Sequence, residues 1–194
     1  MSMATFHAIA EVSEILRRTL DAGVQAIGAS CIVHDLVSGP AVGMTLTLTL
    51  YEIAEDPSAR NRPDLRVVVN NQVTSQRSPT ALLLRYLITA WSGNISDDQV
   101  ILGRAVQTLY EHAILSGPEL AGTSLIAADE AIAITMIQQT IEDRTHVWRA
   151  YEKPYRLSIN YEVRVVKIEA SQAPRVVPQV RSRHLRHGLI EETP

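Results

Sequence analysis

Residues 44–53, MTLTLTLYEI, alternate so strictly that they read as a β-strand, with Met44, Leu46, Leu48 and Leu50 on one face and Thr45, Thr47 and Thr49 on the other. Tyr51 and Ile53 then take over the apolar phase, a flip that predicts a bulge or a strand leaving the core. A second alternation runs through residues 157–168, where Leu157, Ile159, Tyr161, Val163 and Val165 oppose Ser158, Asn160, Glu162 and Arg164. Val166 and Ile168 reverse its phase in the same way. Between these two, TALLLRYLITA (80–90) is too apolar for periodicity alone, but Pro79 before it and Gly93 after it favour a buried strand.

Helical spacing dominates elsewhere. Ile9, Val12, Leu16 and Leu20 form one stripe of a first helix that Thr5 can cap and Gly23 can stop. Residues 96–113 form a second, with Ser96 and Gln99 as a capping box, Asp97 and Asp98 at the positive end of the dipole, and an inner stripe of Leu102, Val106, Leu109 and Ala113. Thr140 with Asp143 opens a third, which ends near Ala150 before Pro154. Short strands are predicted at 30–36 and 131–138, and residues 55–79 read as an exposed excursion with one β segment at 67–69. The order α, β, β, insertion, β, α, β, α, β implies a layered α/β fold with a mixed sheet. Residues 1–170 then form one domain and 171–194 a basic, proline-punctuated arm.

Composition narrows the class. A chain of 194 residues that is 46% hydrophobic buries enough apolar surface to fold without a staple, and the lone Cys31 forms no internal disulfide. The start, MSMATFHAIAEV, lacks the features of a secretory signal, so synthesis in a reducing cytoplasm is expected. No apolar run reaches the ~20 residues of a membrane-spanning helix. Residues 172–194 hold four Arg and two Glu, a charge of +2 that leaves −5 for the residues before them. An acidic body with a basic arm argues against nucleic acid as a partner and suits an acidic protein surface.

No catalytic, cofactor or metal motif stands out. The six histidines are scattered, and only His184 and His187 have ligand-like spacing, within a run of arginines that disfavours a cation. Cys31 reads as a small buried apolar residue, since nothing near it in sequence lowers its pKa. No phosphate loop, dinucleotide fingerprint or nucleophile elbow occurs. The adjacent pairs Asp97/Asp98 and Asp129/Glu130 are explained by helix dipole and solvation. Trp91 and Trp148 fit core packing, with interface anchoring as the alternative. Gly23 and Gly28 read as turn glycines.

Four stretches together resemble the tail-terminator, or cap, proteins of extracellular contractile injection systems of the virulence-cassette and antifeeding-prophage kind. They are LTLTLYEIAEDPSARN (46–61), SPTALLLRYLITAW (78–91), DDQVILGRAVQTLYEHAIL (97–115) and VWRAYEKPYRLSINYEVRVVKIE (147–169). Their order and spacing carry the resemblance, which departs from the pattern at 55–76. It implies a largely antiparallel, tail-terminator-like sheet flanked by helices. It also implies a hexameric ring that stops inner-tube growth and meets the last row of sheath, with no catalytic residue and no cofactor. The partners implied are the inner tube protein, the sheath protein and other copies of the chain.

Within the arm, RVVPQV can pair as a short edge strand, while Pro174, Pro178 and the charges prevent a core. Val176, Val177 and Val180 are the candidate pairing residues, and Arg181, Arg183 and Arg186 are candidates to meet carboxylates on a neighbouring subunit. Two other readings remain open at this point. One is a small-molecule-binding or catalytic α/β domain without a local motif; the other is a neck or baseplate connector of a phage-like tail.

Overall fold

Apolar residues three and four apart wind Ala8–Gln25 into α1, and Val12, Ile15, Leu16, Leu20 and Val24 are buried along its inner face. The computed structural model describes residues 6–38, 43–60, 62–69, 72–120, 124–125, 131–168, 170–171, 173 and 175–177. Thr5, the cap read from the sequence, lies outside them. Gly23 is not the stop. It lies inside α1, where a Cβ would stand 2.1 Å from the Thr108 hydroxyl of the second helix, so glycine is needed for two helices to touch. The turn after α1 uses Gly28 instead, at φ +75°.

The strands follow as β1 (Ser30–Val33), β2 (Thr45–Glu55), β3 (Leu65–Val69), β4 (Gln72–Gln76) and β5 (Thr80–Trp91). After α2 (Ile95–Glu111) come β6 (Ile114–Leu115), β7 (Ile132–Met136), α3 (Ile141–Ala150), β8 (Ser158–Ile168) and β9 (Arg175–Val177). Six strands form one sheet in the order β1-β2-β5-β8-β7-β6, in which only β1 and β2 run parallel. This is the mixed, largely antiparallel sheet that the resemblance implied. Both phase flips are real. The β2–β5 register shifts between Leu50 and Glu52, and the β5–β8 register shifts between Leu82 and Leu83, opposite Val166 and Arg164.

One face of the sheet packs on α1 and α2. Leu84, Tyr86 and Ile88 of β5 join Tyr161 and Val163 of β8 and the inner residues of both helices in one cluster. The Tyr86 hydroxyl and Ser13 share a hydrogen bond of 2.9 Å inside it. On the opposite face Leu87 meets Leu36 and Trp148 of α3. Thr45, Thr47 and Thr49 are therefore buried as well. α3 opens with the capping box read from the sequence, Thr140 with Asp143. α2 is capped differently from the reading: Asn94, not Ser96, is its N-cap, and its side chain accepts from the Ser96 amide.

The contacts divide the chain into a body, residues 1–61 with 79–169, and a second unit, residues 62–78 with 170–194. The excursion holds two strands where the sequence suggested one β segment. LRVVV and QVTSQ are separated by two Asn, a turn composition that suits a hairpin. β3, β4 and β9 make the second unit a three-stranded antiparallel sheet.

Two helical glycines test this packing with opposite signs. Gly23→Ala forces Thr108 aside and is expected to destabilise the fold by about 1–3 kcal/mol, as overpacking does. Gly103, exposed in α2 with nothing within 4 Å of a built Cβ, is expected to gain about 0.5–1 kcal/mol on substitution by Ala. Thermal or urea melts of the two variants read both shifts.

Candidate functional site

Of the arm residues singled out by the sequence, Val176 and Val177 lie in β9, while Val180, Arg181, Arg183 and Arg186 lie outside the described residues. β9 pairs with β4 of the same chain, Val176 opposite Thr74 and Val177 opposite Val73. The register sorts the small sheet into rows. Arg66, Ser75 and Arg175 lie side by side on one face, next to a row of Val68, Val73 and Val177. Leu65, Val67, Thr74 and Val176 belong to the other face. Local bonds hold the hairpin's ends: Ser78 donates to the Pro63 carbonyl at 2.6 Å, Ser75 to Asp64 at 3.2 Å and Thr74 to the Val67 carbonyl at 2.9 Å. Sequence reasoning missed β4 and the Arg66 row; the one local signal was the Asn pair after the Val run of β3.

In the body, the start of α2 is tied to the chain entering β8. Arg156 donates to Asp98 at 2.8 Å and to the Ala90 carbonyl at 3.1 Å, and its guanidinium lies 4.3 Å over the Trp91 ring. Asp98 also accepts from the Ser92 amide and hydroxyl, each at 2.8 Å. Burial raises the Asp98 pKa, but the bonds from Arg156 and Ser92 outweigh it and hold the carboxyl below its ordinary value. Asp98 thus anchors a cluster rather than merely complementing the helix dipole. Trp91 meets Trp148 edge-on with centroids 6.4 Å apart, and Trp148 is fully buried, which places both in packing roles.

Across the α3 face, Arg85 of β5 bridges two strands, donating to Glu52 at 2.8 Å and to Glu162 at 3.2 Å, and Arg164 holds the second oxygen of Glu162 at 2.9 Å. The Glu52 bond, partly offset by burial, raises the Arg85 pKa further, with help from Glu162. An open cleft of 540 Å³ lies beside this group, lined by Tyr51, Glu52, Arg85, Gln139, His146 and Glu162 among others. A neighbouring hollow of 440 Å³ is lined by Gln139, Arg144, Ser158 and Asn160. The charged groups here neutralise one another, which leaves no carboxylate pair poised for acid–base work. Burial, and then the charge of Asp21, push the Cys31 thiol up to about 12, far from a thiolate at neutral pH. Among the described residues no three His, Cys, Asp or Glu side chains could hold a metal ion. His184 and His187 lie outside them.

Residues 11–182 match the family described as the Pvc16 N-terminal domain. The chain belongs to the Pvc16 N-terminal domain family. Among solved structures, it is similar to the anti-feeding prophage cap, described as the AFP tube terminating cap, at 20% identity and a TM-score of 0.63, over 91% of this chain and 60% of that one. It is also similar to the PVC sheath/tube terminator of an extracellular contractile injection system, in its extended state, at 17% identity and a TM-score of 0.61, over 98% of this chain and 66% of that one. The chain thus spans about 60% of the length of the anti-feeding prophage cap. No curated protein matches it. The likeness to these solved structures shows a tail-terminator fold, as the resemblance in the sequence implied.

The Asp98 cluster sets a pH dependence. Its folded pKa is depressed below the ordinary ~3.9, so the unfolded chain takes the proton first. The stabilisation is present above about pH 4 and is lost as pH falls through the depressed value. Asp98→Asn is expected to lower stability at neutral pH by about 1.5–3 kcal/mol and to flatten the acid limb, read from urea midpoints between pH 2 and 7.

Proposed function

We propose that the chain is a structural cap of a contractile injection system. Copies join into a hexameric ring that ends the inner tube and anchors the terminal layer of sheath. The observation that carries this reading is the fold: strands and helices that superpose over 91% of the chain on the anti-feeding prophage tube terminating cap. Membership of the Pvc16 N-terminal domain family over residues 11–182 supports it. In this reading the protein is made and assembled in the cytoplasm, works through shape without a cofactor, and has the tube protein, the sheath protein and its own copies as partners.

The arm supplies reach. Val176 and Val177 root it on β4, and residues 178–194 extend to a neighbouring sheath or cap subunit, where Val180 adds backbone pairing and Arg181, Arg183 and Arg186 meet carboxylates. A few backbone hydrogen bonds of about 0.5–1.5 kcal/mol net each hold a single arm weakly. Several arms on one ring act together and raise avidity by roughly 10²–10⁴.

Ending the chain after Val177 keeps β9 in place. The truncated protein is expected to cap the tube but release the sheath from its end in micrographs of assembled particles. Normal sheath anchoring by the truncated protein rejects the arm's role, and a full-length protein that stays monomeric while turning over a small molecule rejects the cap.

A further inference from the structure

The charge of this chain is divided more sharply between its two structural units than between body and arm. Residues 62–78 and 170–194 hold seven Arg against Asp64, Glu191 and Glu192, a net +4. The remaining residues therefore carry −7 of the total −3. The described part of the second unit is a sheet of strands of five, five and three residues. A three-stranded sheet that small depends on an apolar face for its stability.

The face that carries Arg66 and Arg175 has the layout of an interface. Val68, Val73 and Val177 make an apolar row across all three strands, and the row beside it is Arg66, Ser75 and Arg175. Val68 is 66% exposed, and both arginines are exposed. Among the described residues neither arginine makes an ion pair. An apolar strip bordered by cations fits a partner that offers apolar surface within an acidic field. The body of this protein, at −7 and with Ile95, Val100 and Tyr110 exposed, is such a partner.

We infer that the Val68–Val73–Val177 and Arg66–Arg175 rows of one copy dock on the acidic body of the next copy, head to tail. The inference rests on the cap reading, in which copies join into a ring, and it names the surface and the chemistry of that joint. A head-to-tail contact repeats until it closes, so every copy gives its small sheet and receives its neighbour's. The area sets the behaviour. From strand spacing and rise, the sheet face covers roughly 200 Å², well below the ~800 Å² per partner of a stable pair. A lone pair is therefore weak, and closure supplies the stability by giving each copy two contacts. The contact also weakens with salt, since its attraction is between exposed charges.

The test is the assembly state of the full chain, read by mass photometry and negative-stain imaging at low and high salt. It compares wild type, the double variant Arg66→Glu/Arg175→Glu, and Val67→Ser on the opposite face. Circular dichroism melts establish that each variant folds, which the exposed arginine positions favour. The expected result is a closed ring for wild type and Val67→Ser, loosened by salt, and a folded monomer for the double variant. A wild-type ring with an unchanged ring in the double variant overturns this interface while the cap reading stands. A double variant that still forms rings but no longer holds tube or sheath protein also overturns it, and assigns the face to that protein. A wild type that is monomeric under all conditions overturns the ring itself, and this joint with it.

Discussion

The pairing of β5 with β8 is the constraint on which the rest of the body depends. β5 has a strand on each side and buried side chains on both faces: Leu84, Tyr86 and Ile88 toward α1 and α2, Leu87 and Thr89 toward α3. A slip of one residue would exchange the two sets and drive Arg85 under the helices. Arg85 is held instead between Glu52 of β2 and Glu162 of β8, the strands on either side. Partly buried ion pairs of this kind add modest net stability, because desolvation offsets attraction, but removing one partner leaves the buried Glu162 poorly compensated. The pairs therefore act on register more than on total stability.

The bulges follow from the same sheet. Up to Leu50, β2 keeps its leucines on the α1–α2 face; past the shift at Leu50/Glu52 its side chains change sides, and β8 does the same opposite Leu82 and Leu83. Both changes fall toward the ends of these strands near Glu55, Thr80 and Ile168, which lie close to one another in the register. Residues 62–78 and 170–194 belong to the second unit. A bulge turns a strand out of its core phase without ending it.

Local chemistry was legible, and distant chemistry was not. The MTLTLTLYEI alternation, its phase flip, the Thr140–Asp143 box and the end of the closing strand each depend on neighbours a few residues apart, and each appears in the structure. Gly23 was read as a stop because a glycine near a helix end is ambiguous; what decides it is Thr108, on another helix. Asp98 was assigned to the helix dipole because its partner Arg156 lies far along the chain. Ser96 was read as the cap of the second helix, but the helix already begins at Ile95, so the extended residue before it, Asn94, takes the role. β4 was hidden because QVTSQ is polar and lacks the β-branched run that marks β3. As for the candidate site, the sequence suggested that RVV can pair, but nothing local to RVV says that its partner lies in the excursion, far earlier in the chain.

The two layers on the sheet are not equal. Under α1 and α2 the interior is almost wholly apolar. Under α3 a small apolar cluster of Leu36, Leu87 and Trp148 sits among hydroxyls and amides: Thr47, Thr49, Thr89, Ser158 and Asn160 are all buried, and α3 itself fully buries only Trp148. Some of these groups are satisfied, since Thr47 donates to the Thr89 carbonyl and accepts from Trp91, and Trp148 reaches Ser158 at 3.4 Å. The hydroxyls of Thr49 and Thr89 and the Oδ1 of Asn160 find no partner among the described residues. Burying such a group unpaired is unfavourable by about 1–3 kcal/mol, so the α3 layer stabilises the fold less per residue than the opposite layer. Local opening starts where the balance is thinnest, and here that is a ten-residue helix whose apolar hold is Trp148 with Val147 packed beside it. The α1–α2 layer and the β5–β8 register stay intact through such an opening, so the body has one face that can yield and one that keeps the sheet in shape.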